Sequence, residues 1–258
     1  MNIKFGDNTT EIKEYAFNNC TSLESIDLKN VTQIGKSAFR YCTNLKTVNS
    51  SGYINIIGEE AFENCLSLES IYLNNIMQIG NYAFRGCAAL QSIDLKNVTQ
   101  IGNCAFYGCT ELQSINLEKA TQIGESAFEG CTNLKTANLN GDIEDHAFDG
   151  CVSLTSIIIL DNVKIIESFA FYKCTRLTSI TIPNGVTSIG IYAFSGCTSL
   201  ASITIPNSVI TIESMLFEGC INLTSIKINK AASEIKAMEN YPWDAKGKIY
   251  DKDNNLVK

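Results

Sequence analysis

A block of the form Ala-Phe-x-x-Cys-x-x-Leu returns ten times along this chain, and only the last copy replaces its alanine, with Leu216. Consecutive cysteines of these blocks lie 20 to 23 residues apart. A fixed period of this length is typical of repeat proteins, in which each repeat is one unit that stacks on its neighbours. The blocks carry Phe17, Phe39, Phe62, Phe84, Phe106, Phe128, Phe148, Phe171, Phe194 and Phe217, and then Cys20, Cys42, Cys65, Cys87, Cys109, Cys131, Cys151, Cys174, Cys197 and Cys220.

Each repeat also contains a short alternating segment. After the leucine of the block, most repeats have an apolar pair two residues apart, such as Ile71 and Leu73 or Ile180 and Ile182. This alternation predicts a β-strand with one face inward. The apolar positions around each Ala-Phe pair lie three residues apart, which predicts a helical or 3₁₀ turn. Each coil is therefore expected to contain a strand, a turn, a second short extended piece that ends near an Ile-Gly pair, and a helical turn back.

A single repeat is too small to fold alone. It buries roughly seven apolar side chains at ~1.5–3 kcal/mol each, whereas ordering roughly 22 residues costs ~1–2 kcal/mol apiece in backbone entropy. Stacking gives each coil an apolar surface and a strand edge from the next, so stability accumulates along the array. We therefore predict an α/β repeat solenoid of about ten coils of 20–23 residues, with Phe, Leu and Cys side chains filling its interior.

The later repeats, with the skeleton CTSLTSI-x-IPNxVTSIGxxAFxxC, resemble the BspA-like, Treponema pallidum type of leucine-rich repeat. The resemblance covers about residues 3 to 235, although the first six repeats mostly lack the proline found at Pro183 and Pro206. It implies a right-handed leucine-rich-repeat superhelix, with a parallel β-sheet on the concave face and short helical or 3₁₀ turns on the other. It also implies a secreted or cell-surface protein that acts in adhesion and host interaction.

The two ends of the chain differ from the repeats between them. Residues 1–235 are predicted to form the solenoid, which begins partway through a repeat and so indicates a fragment. Residues 236–258 lack the Ala-Phe pair, and we predict that they form a C-terminal cap. In this cap Met238, Tyr241 and Trp243 are expected to cover the last coil, and residues 248–258 can form a β-hairpin.

Charge and hydropathy exclude two classes of partner. The net charge of −7 leaves no positive surface to neutralise a phosphate backbone, so we expect no nucleic acid partner. No run approaches the roughly 18 apolar residues of a membrane span, and we expect no membrane insertion. The first residues also lack the basic and apolar regions of a secretory signal. We expect a monomer.

The eleven cysteines are evenly spaced and not paired in Cys-x-x-Cys fashion, which argues against disulfides and zinc. Equivalent side chains in stacked coils point in parallel, so we predict a ladder of buried, reduced thiols and no metal or cofactor. Cys104 stands outside the ladder. His146, the one histidine, occupies the same repeat position two coils later, ~10 Å away, whereas a nucleophile and its base must approach within ~2.6–3.2 Å. We therefore predict that the protein is not an enzyme.

Two outward columns follow the strands. A hydroxyl residue precedes each strand isoleucine or its equivalent, and this strict column predicts a hydroxyl ladder that serves the backbone or neighbouring coils. Its members are Ser25, Thr47, Ser70, Ser92, Ser114, Thr136, Ser156, Ser179, Ser202 and Ser225. Two residues later the side chain changes from coil to coil, and positions that the architecture leaves free can carry recognition. The predicted partner-binding residues, here named the recognition column, are Tyr72, Asp94, Asn116, Asn138, Ile158 and Thr181.

These features predict a non-catalytic interaction scaffold that binds a protein or glycan through its extended repeat surface. Tyr72 would supply an aromatic anchor and Ile158 an apolar one. One alternative is a structural spacer within a larger surface protein. A thiol-dependent enzyme, which would need Cys104, is the other.

Overall fold

The computed structural model describes residues 3, 5 and 8–258. Over these residues the chain winds into a solenoid of short parallel β-strands with one short helix. The strands are β1 (Glu11–Ile12), β2 (Ser25–Asp27), β3 (Gln33–Ile34), β4 (Thr47–Tyr53), β5 (Ile56–Ile57), β6 (Ser70–Asn74), β7 (Gln78–Ile79), β8 (Gln100–Ile101), β9 (Ser114–Leu117), β10 (Gln122–Ile123), β11 (Thr136–Leu139), β12 (Asp142–Ile143), β13 (Ser156–Ile159), β14 (Ile165–Ile166), β15 (Ser188–Ile189), β16 (Ser202–Ile205), β17 (Thr211–Ile212), β18 (Ser225–Ile228) and β19 (Lys248–Tyr250), and the helix is α1 (Ala232–Ala237).

Two walls of the solenoid are parallel sheets. The predicted second extended pieces are two-residue strands, which form one continuous sheet in the order β1-β3-β5-β7-β8-β10-β12-β14-β15-β17. The longer strands form the other wall, here named the long-strand face, as the sheets β2-β4-β6, β9-β11-β13 and β16-β18-β19. Isolated bridges from Ser70 to Ser92 and from Thr181 to Thr204 extend this face into the coils between those sheets.

The Ala-Phe-x-x-Cys blocks form a third wall, here named the turn face, which consists of turns and contains no assigned helix. Alternate amides bond within the coil in the 3₁₀ manner, as when the Cys42 N–H donates to the Phe39 carbonyl at 3.1 Å. The intervening amides bond to the next coil, as when the Phe39 N–H donates to the Ala61 carbonyl at 2.8 Å. The predicted turn is therefore present, and it also ties neighbouring coils together.

Each of these turns holds two residues in the left-handed backbone region. One precedes the alanine in every block, as in Ser37 at a φ of 52°. The other precedes the cysteine, as in Tyr41 at 59° and Gly86 at 73°. Only glycine adopts this conformation without steric cost, which explains why six of the ten blocks have glycine at the second position.

A ladder of phenylalanines runs through the core. From Phe17 to Phe194, neighbouring ring centroids lie 5.1 to 5.6 Å apart with the rings nearly parallel. The eight rings from Phe39 to Phe194 are fully buried. The last step, from Phe194 to Phe217, is wider at 6.3 Å. The prediction that each block fills the interior of one coil is confirmed.

The C-terminal residues continue the stack. Strand β19 pairs in parallel with β18, as successive long strands do elsewhere in the solenoid. Trp243 is buried and its Nε1–H donates to the Glu239 carbonyl at 2.9 Å, whereas Met238 and Tyr241 are only partly buried. Tyr250 bridges Leu256 in antiparallel fashion. The division into a solenoid over residues 1–235 and a cap over 236–258 stays a prediction.

Candidate functional site

The recognition column lies on the outer side of the long-strand face. The strands alternate exposed and buried residues, and the column occupies outward positions. Asn116, Asn138 and Ile158 stand directly beside one another in register. The Ser70–Ser92 bridge continues the alignment from Tyr72 to Asp94, two residues further along each chain segment. Strand pairing is interrupted between Asp94 and Asn116 and between Ile158 and Thr181.

Three polar members of the column are occupied by local hydrogen bonds. The Asp94 carboxylate accepts the Lys96 backbone N–H at 3.1 Å and pairs with its Nζ at 2.6 Å. Partial burial opposes ionisation of Asp94, yet these hydrogen bonds outweigh it and lower the pKa of the carboxyl. Asn116 accepts the Glu118 N–H at 3.2 Å, and Asn138 donates to the Glu118 carboxylate at 3.3 Å. Asp94 and Asn116 therefore stabilise the turns that follow them, and Asn138 bonds to the turn of the preceding coil.

The apolar members of the column are free to make contacts. Tyr72 is 64% exposed and Ile158 is 52% exposed. A large side chain with this exposure on a paired sheet has no role in the core, and it is available to a partner. Tyr72 and Ile158 are thus the strongest candidates among the six predicted residues.

Tyr53 is a candidate that the repeat pattern did not reveal. A register shift between Asn49 and Tyr53 lets β4 extend to seven residues and pairs Tyr53 with Asn74. Tyr53 therefore lies diagonally across from Tyr72, ~8 Å away by strand spacing, and it is 63% exposed. The signals in the sequence were the interruption at Ser50 and the 23-residue distance from Cys42 to Cys65, one more than in the neighbouring repeats.

The predicted hydroxyl ladder was wrong in its position. In the described part of the chain, none of the ten Ser and Thr side chains before the strand isoleucines donates a hydrogen bond, and all ten are exposed or half-exposed. Hydroxyl ladders occur instead in the turns, where each threonine reaches the carbonyl of the preceding coil. One comprises Thr32, Thr99, Thr121 and Thr187, and the other Thr110, Thr132, Thr175 and Thr198.

The predicted ladder of reduced thiols is confirmed. All eleven cysteines are free and nine are buried. Each buried thiol donates to the carbonyl of the phenylalanine in the preceding coil, with S···O distances of 3.0 to 3.3 Å. Burial raises the pKa of Cys42 and of Cys131 to about 12, and that of Cys220 to about 11. The cysteines therefore act as small core residues that also bond one coil to the next.

This burial predicts a sharp division in thiol reactivity. Iodoacetamide at neutral pH should modify Cys20 and Cys104, which are partly exposed, and should leave the nine buried thiols intact. Mass spectrometry of the intact protein would count the adducts, and the urea-unfolded chain, in which all eleven should react, is the control. Rapid modification of more than two thiols in the folded protein would contradict the ladder.

The structure does not pair His146 with Cys104. Burial raises the pKa of this thiol, although the charge of Arg85 opposes the effect. His146 instead places its Nδ1 3.0 Å from the Asp149 carboxylate and stacks on the Phe169 ring at 4.6 Å between centroids. Among the described residues, no group of three or more His, Cys, Asp or Glu side chains is arranged to hold a metal ion.

Over residues 3, 5 and 8–258, no helix has the length and apolar character needed to cross a bilayer.

The repeat pattern identifies the family. The BspA type leucine-rich repeat region, in six copies, matches residues 1–91, 56–145 and 141–240. The chain belongs to the BspA-type leucine-rich repeat family. A comparison with curated protein sequences found no match.

Solved BspA-type and other leucine-rich repeat structures share the fold. A leucine-rich repeat protein from Bacteroides ovatus is 25% identical, with a TM-score of 0.58 over 96% of this chain and 90% of that one. The T. pallidum leucine-rich repeat protein is 23% identical, with a TM-score of 0.56 over 74% of this chain and 82% of that one. A leucine-rich repeat protein from Eubacterium ventriosum is 23% identical, with a TM-score of 0.53 over 83% of this chain and 81% of that one.

Proposed function

We propose that this BspA-type protein is a non-catalytic scaffold that binds a protein partner through its long-strand face. One observation carries the proposal. Tyr53, Tyr72 and Ile158 expose most of their surface on β4, β6 and β13, which pair with neighbouring strands of the long-strand face. Tyrosine is enriched among the few residues that dominate binding energy at protein interfaces. Asp94, Asn116, Asn138 and Thr181 would form the polar surroundings of these anchors.

The shape of the face favours a macromolecule over a metabolite. About ten coils at ~4.8 Å each give a wall ~50 Å long. A standard protein interface needs about 800 Å² from each partner, which such a wall can provide. Small molecules bind in enclosed pockets. A glycan chain along the same wall is the second candidate, because it too is long and needs no enclosed pocket.

The family resemblance bears on localisation, and the exposed anchors and the Cys104 thiol bear on the two alternative functions. We place the protein outside the cell or on its surface, as the family resemblance implies. The spacer alternative requires that the exposed anchors bind nothing. The enzyme alternative requires a reactive Cys104, and the raised pKa of that thiol opposes it.

The test is a paired substitution of the two tyrosines. Binding of the protein to purified extracellular-matrix and host-surface proteins would be measured by biolayer interferometry. In a saturable complex, Tyr53→Ala with Tyr72→Ala should weaken binding by at least about 30-fold, because even a single hot-spot residue contributes about 2 kcal/mol or more.

The matched control is Tyr15→Ala, which removes a tyrosine that is 52% exposed on the turn face. It should leave the affinity unchanged. Equal loss in the control would place the interface elsewhere. Absence of any saturable partner would leave the spacer interpretation, and saturable binding to glycans alone would favour the second candidate.

A further inference from the structure

A cluster of arginine and tyrosine side chains lies on the turn face, in coils two to five. Arg40 pairs with the Glu60 carboxylate at 3.2 Å and with the Glu63 carboxylate at 2.6 Å. Its guanidinium also lies over the Tyr41 ring, 4.8 Å from the centroid. Glu63 is almost fully buried between the coils. The Arg40 guanidinium is therefore occupied by contacts with neighbouring side chains.

Arg85, in contrast, keeps donors available. Its NH1 lies 3.5 Å from the Glu63 carboxylate, which is longer than a hydrogen bond. Its side chain is 48% exposed. The guanidinium lies between the rings of Tyr82 and Tyr107, at 5.6 and 5.5 Å from their centroids. The two rings hold the arginine in place while part of its five-donor fork faces solvent.

These side chains surround a shallow pocket of about 440 Å³. It is lined by the side chains of Arg40, Tyr41, Glu63, Asn64, Arg85 and Tyr107 and by Gly86 and Gly108. A Cβ built on Gly108 would meet no atom within 4 Å, whereas one built on Gly86 would meet the Asn64 Oδ1 at 2.5 Å, so the pocket is open at Gly108 and the Asn64 amide lies over Gly86. The pocket therefore combines the partly exposed Arg85 guanidinium, the Arg40–Glu63 ion pair, two exposed rings and one amide.

The backbone N–H groups of the pocket are already hydrogen-bonded and are not available to a peptide. The amides of Tyr41, Gly86 and Gly108 already donate to the next coil at 2.8 Å each, and that of Asn64 does so at 2.7 Å. An extended peptide that binds by strand addition needs free backbone donors and acceptors at a sheet edge. Recognition here must come from side chains, which favours a ligand rich in hydroxyls and ring C–H groups.

We propose that this pocket binds an acidic sugar residue, a pyranose with a carboxylate. The sugar carboxylate would accept two parallel hydrogen bonds from the Arg85 guanidinium, since the two groups match in bidentate geometry. The apolar face of the pyranose would lie on Tyr107 or Tyr41, and its hydroxyls would bond to the Asn64 amide. This site lies on a different wall from the long-strand face and is independent of the proposed protein partner.

The local charges permit this assignment in an acidic protein. Glu63 lies on the buried side of Arg85 and is paired more closely with Arg40. A carboxylate at hydrogen-bond distance from Arg85 is attracted more strongly than it is repelled by the more distant Glu63, because Coulomb energy falls with distance. The net charge of −7 still opposes long-range attraction, so the contact is short-ranged.

The experiment compares two oligosaccharides on the whole protein. Hyaluronan tetrasaccharide carries glucuronate, whereas chitotetraose is a neutral chain of similar length. Saturation-transfer and chemical-shift NMR titrations should show that hyaluronan tetrasaccharide binds at least about tenfold more tightly than chitotetraose, which is the gain expected of one charge-assisted bidentate contact. The shifted aromatic resonances should include those of Tyr107 or Tyr41.

Variants then locate the site. Arg85→Gln should weaken hyaluronan binding at least about tenfold. Arg85→Lys keeps the positive charge but not the bidentate geometry, so it should weaken binding by a smaller factor. Arg176→Gln removes the one arginine outside the pocket and should have no effect. Absence of binding, equal affinity for chitotetraose, or an unchanged Arg85→Gln variant would overturn the proposal. Tighter, Arg85-dependent binding of a tetraglutamate peptide would replace the sugar with an acidic peptide.

Discussion

Raising the pH above about 9 should unfold this protein in one steep transition. In the unfolded chain a thiol ionises near pH 8.5, whereas burial raises the pKa of nine thiols in the folded state. These are Cys42, Cys65, Cys87, Cys109, Cys131, Cys151, Cys174, Cys197 and Cys220. The folded state therefore binds more protons than the unfolded state in this range. Their contribution to the free energy of unfolding is fully present below about pH 8.5 and is lost as the pH rises.

The expected slope is large because the thiols act together. Each thiol that ionises only on unfolding lowers the free energy of unfolding by about 1.4 kcal/mol per pH unit. Nine such groups together exceed, within one or two pH units, the roughly 5–15 kcal/mol of a typical domain. The ladder that fills the core is thus also the element most sensitive to alkali.

Urea unfolding followed by circular dichroism between pH 7 and 11, under reducing and oxygen-free conditions, would measure this dependence. The variant Cys109→Ala with Cys131→Ala removes two of the nine thiols and should reduce the slope by about two protons. Cys104→Ala, which removes one partly exposed thiol, is the matched control and should reduce the slope by no more than about one proton. A free energy of unfolding that stays constant up to pH 11 would mean that the thiols are not buried in solution.

The interior of the coil could be predicted from the sequence because burial repeats with the chain. Phe106, Cys109 and Leu112 each recur at the same place in ten copies, so side-chain size and polarity report directly on what is inside. The second extended piece was predicted for the same reason, since Ile101 before Gly102 marks an inward residue at a close turn. A repeated interior thus determines the fold, whatever the outer residues are.

The outer walls could be predicted only in part, because their chemistry depends on neighbours about 22 residues away. Asn138 was predicted as a recognition residue, yet stacking brings it beside Glu118, 20 residues earlier in the chain, and its amide donates to that carboxylate. Tyr53 was missed because a register shift in β4 moves it beside another coil. Arg85 belongs to a pocket that arises only when four coils are stacked. The sequence pattern shows which positions face outward, and the stacking of the coils determines which residues those positions contact.

Replacing one phenylalanine in the middle of the core ladder should have the largest effect of any single substitution. Phe106 is fully buried between the Phe84 ring at 5.1 Å and the Phe128 ring at 5.2 Å. Phe106→Ala should lower the free energy of unfolding by about 3–5 kcal/mol, because it loses the transfer energy of the ring and leaves a cavity. Urea denaturation at pH 7 would measure it.

Two variants distinguish the ladder from a general effect of lost aromatic surface. Tyr107→Ala removes the next residue, which is 37% exposed, and should cost about 0.5 kcal/mol or less. Phe17→Ala lies at the end of the ladder and is only partly buried, so its cost should fall between the two. If Phe106→Ala were no more costly than Tyr107→Ala, the rings would not be what couples the coils.

The shape of the unfolding curve carries a further consequence of the ladder. In a repeat array each coil contacts only its neighbours, so stability is a sum of repeat and interface terms. A cavity at Phe106 weakens the two interfaces in the middle of the stack, and the coils on either side should then unfold at different urea concentrations. The wild-type curve should show one transition and that of Phe106→Ala two. A single displaced transition would mean that strand pairing and the turn-face hydrogen bonds couple the coils without the rings.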